Sequence, residues 1–203
     1  MAGIGDDIKE VFQELGTVVE VIKPNGDVFQ ETMDFELNNL SSSFMTNFVI
    51  DASFSYDTNL NAGDVVKAVD SGLYYLAAAL NRPYFEDMPV VTETKLYKCN
   101  YWGMLKERTQ TRVDYSQQVT WADKLSEMVP VLLTGQLGGG SLSEKDHGIF
   151  YDFTRTLHIS GHHSPQVGDR FETEGGTKFR LDAVEPDKLN NVSMCSISLD
   201  ERE

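Results

Sequence analysis

The sequence is poor in cysteine and lacks long apolar runs. Cys99 and Cys195 are its only two cysteines, too few for a disulfide framework, so we expect reduced thiols of the kind usual in the cytoplasm. The longest apolar run, Leu73–Leu80, is too short to cross a bilayer as a helix. Asp6 and Asp7 occupy the place where a signal peptide would carry basic residues, so none is predicted.

Basic side chains are also scarce. The 203 residues include 17 Lys and Arg against 32 Asp and Glu, a formal net charge of −15. A chain this acidic is not expected to wrap nucleic acid or to bind a membrane surface. The excess is uneven: residues 1–100 carry 6 basic and 16 acidic residues (6 − 16 = −10), and residues 101–203 carry 11 and 16 (11 − 16 = −5).

The hydrophobic pattern predicts one helix followed by strands. Ile8, Val11, Phe12 and Leu15 fall on one helical face, and Gly16 suits the position just past the helix. Alternating segments separated by turns, the first of them the turn Pro24–Asp27, predict the strands that follow. These strand segments are Thr17–Lys23, Val28–Leu37, Phe44–Tyr56 and Leu73–Leu80.

A loose pattern occurs twice, about half a chain apart. Gly63-Asp64 and Gly168-Asp169 each open a strand, a glycine turn and a second strand, then a proline and a strand with a cysteine. The two cysteine strands are Thr92–Tyr101 and Asn191–Leu199. This pattern fits an internal duplication, and it fits equally well the ordinary reuse of glycine turns in antiparallel barrels.

Between the two patterns, Thr120 is predicted to cap a second short helix that ends at Pro130. That helix would carry Trp121, Leu125, Met128 and Val129 on one side. The segment Thr134–Gly148, with three consecutive glycines, is predicted to be a mobile loop, as is Ser41–Ser43.

The predicted fold is mostly β: one or two small antiparallel barrel or sandwich units with the N-terminal helix and one further short helix. We place the first unit in residues 1–115 and the second in residues 116–203, and the two units also fit one continuous domain.

Three groups of residues invite a chemical interpretation. His158, His162 and His163, near Asp152 and Asp169, offer metal ligands, although their spacing matches no known metal motif. Cys99 would be a nucleophile only with a distant base, and a cysteine on an alternating strand is more often part of a core. Tyr97, Tyr101, Trp102 and Trp121 would suit a sugar-binding surface, a barrel core or a subunit interface. The sequence therefore predicts no catalytic, cofactor-binding or metal site, and no enzyme.

Some of these residues carry a family resemblance. They are Gly63-Asp64 with Gly72-Leu73-Tyr74-Tyr75-Leu76, the segment Lys95-Leu96-Tyr97-Lys98-Cys99-Asn100, and Gly168-Asp169-Arg170-Phe171 with Phe179-Arg180-Leu181. In these features the chain resembles the head–tail connector family of tailed bacteriophages, the stopper, adaptor and neck proteins built on small β-barrels.

The resemblance implies a structural protein of the virion neck or tail, present in the host cytoplasm during assembly. Its expected partners are copies of itself in a ring and the virion proteins on the portal or adaptor side and on the tail side. Packaged DNA would pass the ring without specific binding. The alternatives are a tail-tube, collar or baseplate component, a carbohydrate-binding β module that uses Trp102, and a metal-dependent enzyme that uses the three histidines.

Overall fold

The computed structural model describes residues 4–36, 48–113, 116–137, 144–145, 148–149, 153–186 and 189–202. The predicted loop Ser41–Ser43 lies outside these residues, as does most of the predicted loop Thr134–Gly148. In the latter, Thr134–Leu137 continues a strand, and Glu144–Lys145 pairs with Gly148–Ile149.

The first half of the chain forms a closed antiparallel barrel. Its strands have the spatial order β1-β2-β3-β8-β5-β4, with β4 returning to β1. They are β1 (Thr17–Ile22), β2 (Val28–Glu36), β3 (Val49–Ser55), β4 (Val65–Ala68), β5 (Tyr74–Asn81) and β8 (Val91–Lys98). A small hairpin of β6 (Tyr84–Phe85) and β7 (Met88–Pro89) lies between β5 and β8. The alternating inward side chains form the core because successive residues of a strand point to opposite faces.

The predicted N-terminal helix is confirmed as α1 (Ile4–Leu15). Asp6 and Asp7 occupy its first turn, where acids are favourable, and the Gly16 amide donates to the Phe12 carbonyl over 2.9 Å. The helix packs against β2 and β3, but Leu15 remains 82% exposed. Only part of the predicted apolar face is therefore covered.

The second half forms a second six-stranded barrel, in the order β9-β11-β14-β17-β16-β15, with β15 returning to β9. Its strands are β9 (Tyr101–Val113), β11 (Val129–Leu137), β14 (Phe153–Ser160), β15 (Arg170–Thr173), β16 (Lys178–Glu185) and β17 (Val192–Leu199). The end of β9 continues into a hairpin with β10 (Ser116–Asp123), and the short β12 (Glu144–Lys145) and β13 (Gly148–Ile149) pair with each other.

Two details of the predicted organisation are wrong. The segment predicted as a second helix from Thr120 belongs instead to β10 and to a bend before β11. Its first residues are part of the strand Ser116–Asp123, which pairs with β9. Tertiary pairing here overrides the helical spacing of four apolar residues. The strands also divide between the barrels at residues 98–101 instead of at 115, since β9 is part of the second barrel.

The two barrels have the same topology and the same register. In the first barrel, Phe54 pairs with Thr92 and Ile50 pairs with Leu96. At the same positions of the second barrel, Ile159 pairs with Ser193 and Arg155 pairs with Ile197. The inward residues that correspond are fully or almost fully buried in both barrels. They are Val21 and Leu105, Met33 and Val131, Phe54 and Ile159, Val66 and Phe171, Ala77 and Leu181, and Leu96 and Ile197.

Each barrel is also closed by a buried ion pair at the Gly-Asp turn. In the first barrel Lys23 Nζ lies 2.6 Å from the Asp64 carboxylate, whose side chain is 1% exposed. The same lysine donates to the Asn59 carbonyl, and the carboxylate accepts the Asn61 amide over 2.7 Å. The Asp64 carboxylate thus accepts a hydrogen bond from a backbone amide of its own turn and also holds the lysine in place.

The second barrel has a similar ion pair, and the spacing within its Gly-Asp turn is the same. Lys124 Nζ lies 2.8 Å from the carboxylate of Asp169 and donates to the Ser164 carbonyl over 2.9 Å. Asp169 accepts the Gln166 amide over 2.9 Å. The accepted carbonyl precedes the aspartate by five residues in both barrels. Shared topology, register and ion pair together indicate that the chain is an internal duplication.

The cysteines do not correspond, although their strands do. Thr92 of the first barrel occupies the same position as Ser193 of the second. In this register the position of Cys195 corresponds to that of Thr94, and the position of Cys99 corresponds to that of Asp200. The prediction that these two strands correspond is therefore confirmed. The prediction that their cysteines correspond is wrong.

The barrels meet through an apolar junction. Leu76 and Tyr97, a cross-strand pair on the outside of the first barrel, pack with Leu132 and Val192 of the second. Across the junction the Ser160 hydroxyl donates to the Gly63 carbonyl over 2.7 Å. Asn191 donates to the Ala62 carbonyl over 3.1 Å. Apolar contacts and hydrogen bonds thus bind the two barrels together.

Candidate functional site

An exposed apolar cluster occupies the β6–β7 hairpin, residues 84–89. Tyr84 is 67% exposed, Phe85 53% and Met88 56%. Glu86 and Asp87 form the tip with φ values of 48° and 65°, the geometry of a tight two-residue turn. Single exposed apolar residues are ordinary, whereas three within one hairpin form a surface suited to a protein contact.

A groove opens at one end of the second barrel, and we call it the end groove. It encloses about 500 Å³. Its apolar wall includes Tyr101, Phe179 and Leu199, and the side chain of Leu199 is 58% exposed. The Arg155 guanidinium lies 5.3 Å from the centre of the Phe179 ring, within the range of a cation–π contact.

The corresponding end of the first barrel has an aliphatic side chain at the matching position. Arg155 pairs with Ile197 as Ile50 pairs with Leu96, so the two residues hold the same inward-facing position. Ile50 packs against the first core together with Phe35 and Leu73. The second barrel thus places a cation where its counterpart has an aliphatic plug. Arg155 makes no ion pair with any other residue that the structure describes.

A second groove, of about 210 Å³, lies between the barrels. Tyr74 and Trp102 meet there edge to face, with ring centres 4.8 Å apart. Met128, 43% exposed, and His163 also line it. This groove contains Trp102, the residue on which the sugar-binding alternative depends.

The three predicted metal ligands do not converge. His158 is 1% exposed and stacks on Tyr97 across the junction, with ring centres 5.4 Å apart. His162 lies beside Asn191 at 3.2 Å, and His163 faces the groove between the barrels. Within the described residues, no three His, Cys, Asp or Glu side chains are grouped as metal ligands. Asp152, named with them in the sequence, lies outside the described residues.

Burial changes the protonation of these histidines. It lowers the pKa of His158, an effect that the backbone of Leu132 partly offsets. Burial, and then the neighbouring His162, lower the pKa of His163. Neither ring nitrogen of His158 has a partner in full hydrogen-bonding geometry in the described structure, so the Leu132 backbone offsets the effect of burial only weakly. His158 thus packs in the junction as a neutral aromatic side chain, and protonation of its ring would destabilise the junction.

Cys99 and the other predicted aromatics fall into separate environments. Burial raises the pKa of the Cys99 thiol well above its ordinary value, which keeps it protonated and weakly nucleophilic. Tyr97 is buried at the junction, Tyr101 lines the end groove and Trp121 lies on the β9–β10 side of the second barrel. The four aromatics therefore do not form one stacking surface.

Sequence reasoning missed the setting of Trp121. Its ring centre lies 3.9 Å from the Arg170 guanidinium and 4.8 Å from that of Arg202. Asp200 joins both arginines, and their hydrogen bonds, first that of Arg202, hold the pKa of its carboxyl well below its usual range. The cluster ties the end of the chain to β10 and β15. Because its members are far apart in sequence, no local motif reveals it.

No helix in the described residues is long and apolar enough to span a membrane. No protein-family model, no curated protein and no solved structure matches the chain. The surfaces of the molecule therefore carry the functional argument.

Proposed function

We propose that the chain is a structural protein of a tailed-phage virion, forming a ring at the head–tail junction. The observation that carries this proposal is the tandem of duplicated barrels with an exposed contact surface on each: the β6–β7 hairpin on the first and the end groove on the second. Different surfaces on the two barrels suit a subunit that contacts neighbours on both sides.

The charge distribution supports a position beside DNA. The first barrel and α1 fall within residues 1–100, which carry 6 − 16 = −10, and the second barrel falls within residues 101–203, which carry 11 − 16 = −5. An acidic wall repels the phosphate backbone, so packaged DNA would slide past it without binding. In the proposed ring the first barrel faces the DNA path.

Deletion of the gene from the phage that encodes the chain tests the proposal. We expect negative-stain images of DNA-filled heads that lack joined tails, with infectivity restored by the gene supplied in trans. Complete, infectious particles without the protein would refute a role in the virion structure. Particles with joined but altered tails would instead assign the chain to the tail tube, collar or baseplate.

A carbohydrate-binding module is the second candidate, and the groove with Tyr74 and Trp102 is the observation that favours it. Aromatic faces beside a groove are typical of sugar sites. This candidate predicts hits on a glycan array and loss of host adsorption in Trp102→Ala particles. Normal adsorption together with an empty array would remove it, and neither result bears on the ring.

A further inference from the structure

We propose that the β6–β7 hairpin of one copy docks in the end groove of the next copy, giving a head-to-tail contact. This inference deepens the proposed ring-forming function and rests on it. The partner is a second copy of this chain, and the contact joins the first barrel of one subunit to the second barrel of its neighbour.

The hairpin has the composition of a docking element. Two aromatics and a methionine, Tyr84, Phe85 and Met88, are each more than half exposed within five residues. Aromatic and methionine side chains are enriched in interface cores, because each buries a large apolar area. In the part of the connection between β16 and β17 that the structure describes there is no such hairpin, so this element distinguishes the first barrel from the second.

The end groove has the complementary shape and chemistry. It is the larger of the two grooves described above, and Tyr101, Phe179 and Leu199 give it an apolar wall. Comparison of the barrels identifies it as a departure from the repeat, since Ile50 plugs the same end of the first barrel. A barrel core that only needed filling would keep an aliphatic residue at position 155.

Charge makes a second copy the specific occupant. Copies of net charge −15 repel one another, so self-association needs a local attraction. Glu86 and Asp87 stand at the hairpin tip beside the aromatics. Arg155, which makes no ion pair with another described residue, lies on Phe179 in the groove. Aromatics against the apolar wall would bring these acids toward that guanidinium.

The contact is heterologous, because the hairpin and the groove are different surfaces on different barrels. Repetition of a heterologous contact gives a ring when the rotation closes and a filament when it does not. The proposed contact thus supplies the interface that a ring needs.

Cross-linking between two forms of the full chain tests the contact, each form having Cys99→Ala and Cys195→Ala so that the introduced cysteine is its only one. One form carries Asp87→Cys at the hairpin tip and the other Thr177→Cys at the groove rim. A short bismaleimide is added to the mixture, and the linked residues are mapped by mass spectrometry. We expect links between positions 87 and 177 of different copies. The matched control pairs Asp87→Cys with Asn25→Cys, an exposed turn residue. A yield no higher than the control, or links only between two copies of position 87, would overturn the proposal.

Charge reversal gives an independent test. Glu86→Lys with Asp87→Lys, or Arg155→Glu alone, should weaken self-association about tenfold or more in sedimentation velocity. A mixture of the two reversed proteins should recover association, because opposite charges again face each other. Failure of that recovery, with both proteins folded, would contradict the contact. A ring on the virion without 87–177 links would reject this interface and leave the proposed function standing.

Discussion

The two barrels share most of their interior, with Arg155 in place of Ile50 as an exception, and they differ on their surfaces. Their inward residues correspond pair by pair, and each Gly-Asp turn binds a lysine in the same way. Their outward residues differ where the barrels meet. Leu76 and Tyr97 of the first barrel are apolar, but the pair in the same register of the second is Arg180 and Ser198. The core preserves the fold, while the surface decides what each copy contacts.

The other side of the junction follows the same rule. Leu132 and His158 of the second barrel face the junction, and the corresponding pair in the first barrel is Asp34 and Ser53. Repeat proteins end in units with polar outer faces, because an apolar face would require another neighbour. At these register positions the outer faces of the two barrels are polar, so the proposed contact with another copy uses a different element, the β6–β7 hairpin.

The largest expected effect breaks what the barrels share. Asp64→Ala and Asp169→Ala each remove a buried carboxylate from a part-buried lysine and from a backbone amide that donates to it, which we expect to cost about 3 kcal/mol. Both variants should lower the free energy of unfolding measured in urea by similar amounts, since the geometry is repeated. The control is Asp182→Ala, which breaks an exposed ion pair with Arg180 and should cost about 1 kcal/mol or less. An effect confined to one barrel would break the equivalence of the two turns.

The next prediction separates the turns by their surroundings. Gly63 and Gly168 have φ values of 90° and 91°, so alanine is strained at both, at about 1–2 kcal/mol. Only at Gly63 would the new Cβ also lie 2.7 Å from the Asn191 carbonyl, at the junction. At Gly168 it would meet nothing within 4 Å. Gly63→Ala should therefore cost about 2 kcal/mol more than Gly168→Ala in the same urea titration. Equal costs would contradict the junction.

A smaller effect should appear with pH, and the contribution of the junction is the part that depends on His158. The folded state holds the pKa of His158 below its ordinary value, so the unfolded chain takes up the proton first as pH falls. The contribution of the neutral His158 to the free energy of unfolding is therefore fully present above about pH 6.5. Below that pH it is lost, by up to about 1.4 kcal/mol per pH unit. Unfolding at pH 7.5 and 5.5 should show a steeper loss in the wild type than in His158→Phe. The same slope in both proteins would contradict the account.

The smallest effect concerns a feature of the second barrel alone. Trp121→Phe keeps an aromatic ring between Arg170 and Arg202 but weakens the cation–π contact, by about 0.5–1 kcal/mol. Hydrogen exchange should rise in β10 and β15 and stay unchanged in the first barrel. The matched control is Trp102→Phe, which lacks a cation contact among the described residues. Faster exchange throughout the first barrel would show that the barrels are coupled more tightly than described.

Part of the fold was predictable from the sequence. Local signals sufficed for α1, for the turn at Pro24–Asp27 and for the strands after Gly63 and Gly168, because turn chemistry and alternation act over a few residues. The segment from Thr120 failed because its apolar residues fit a helix, while its pairing partner on β9 decides the structure. The duplication needed the register, which the sequence pattern left open.

The contact surfaces were harder to predict. The exposure of Phe85 depends on where the hairpin leaves the barrel. The contrast between Arg155 and Ile50 can be recognised only once the strand registers show that they hold the same position. The three histidines look like one cluster in sequence, yet strand and turn geometry direct them to the junction, to Asn191 and to a groove. Long-range pairing decides each of these placements.

Cryo-electron microscopy of the intact particle tests the central proposal most directly. We expect a ring of tandem barrels at the head–tail junction, with the barrel of residues 1–100 toward the DNA path and each β6–β7 hairpin in the end groove of its neighbour. A particle whose neck and tail contain no density for the tandem would contradict the proposed function. A ring with the first barrel on its outer rim would contradict the role assigned to its charge.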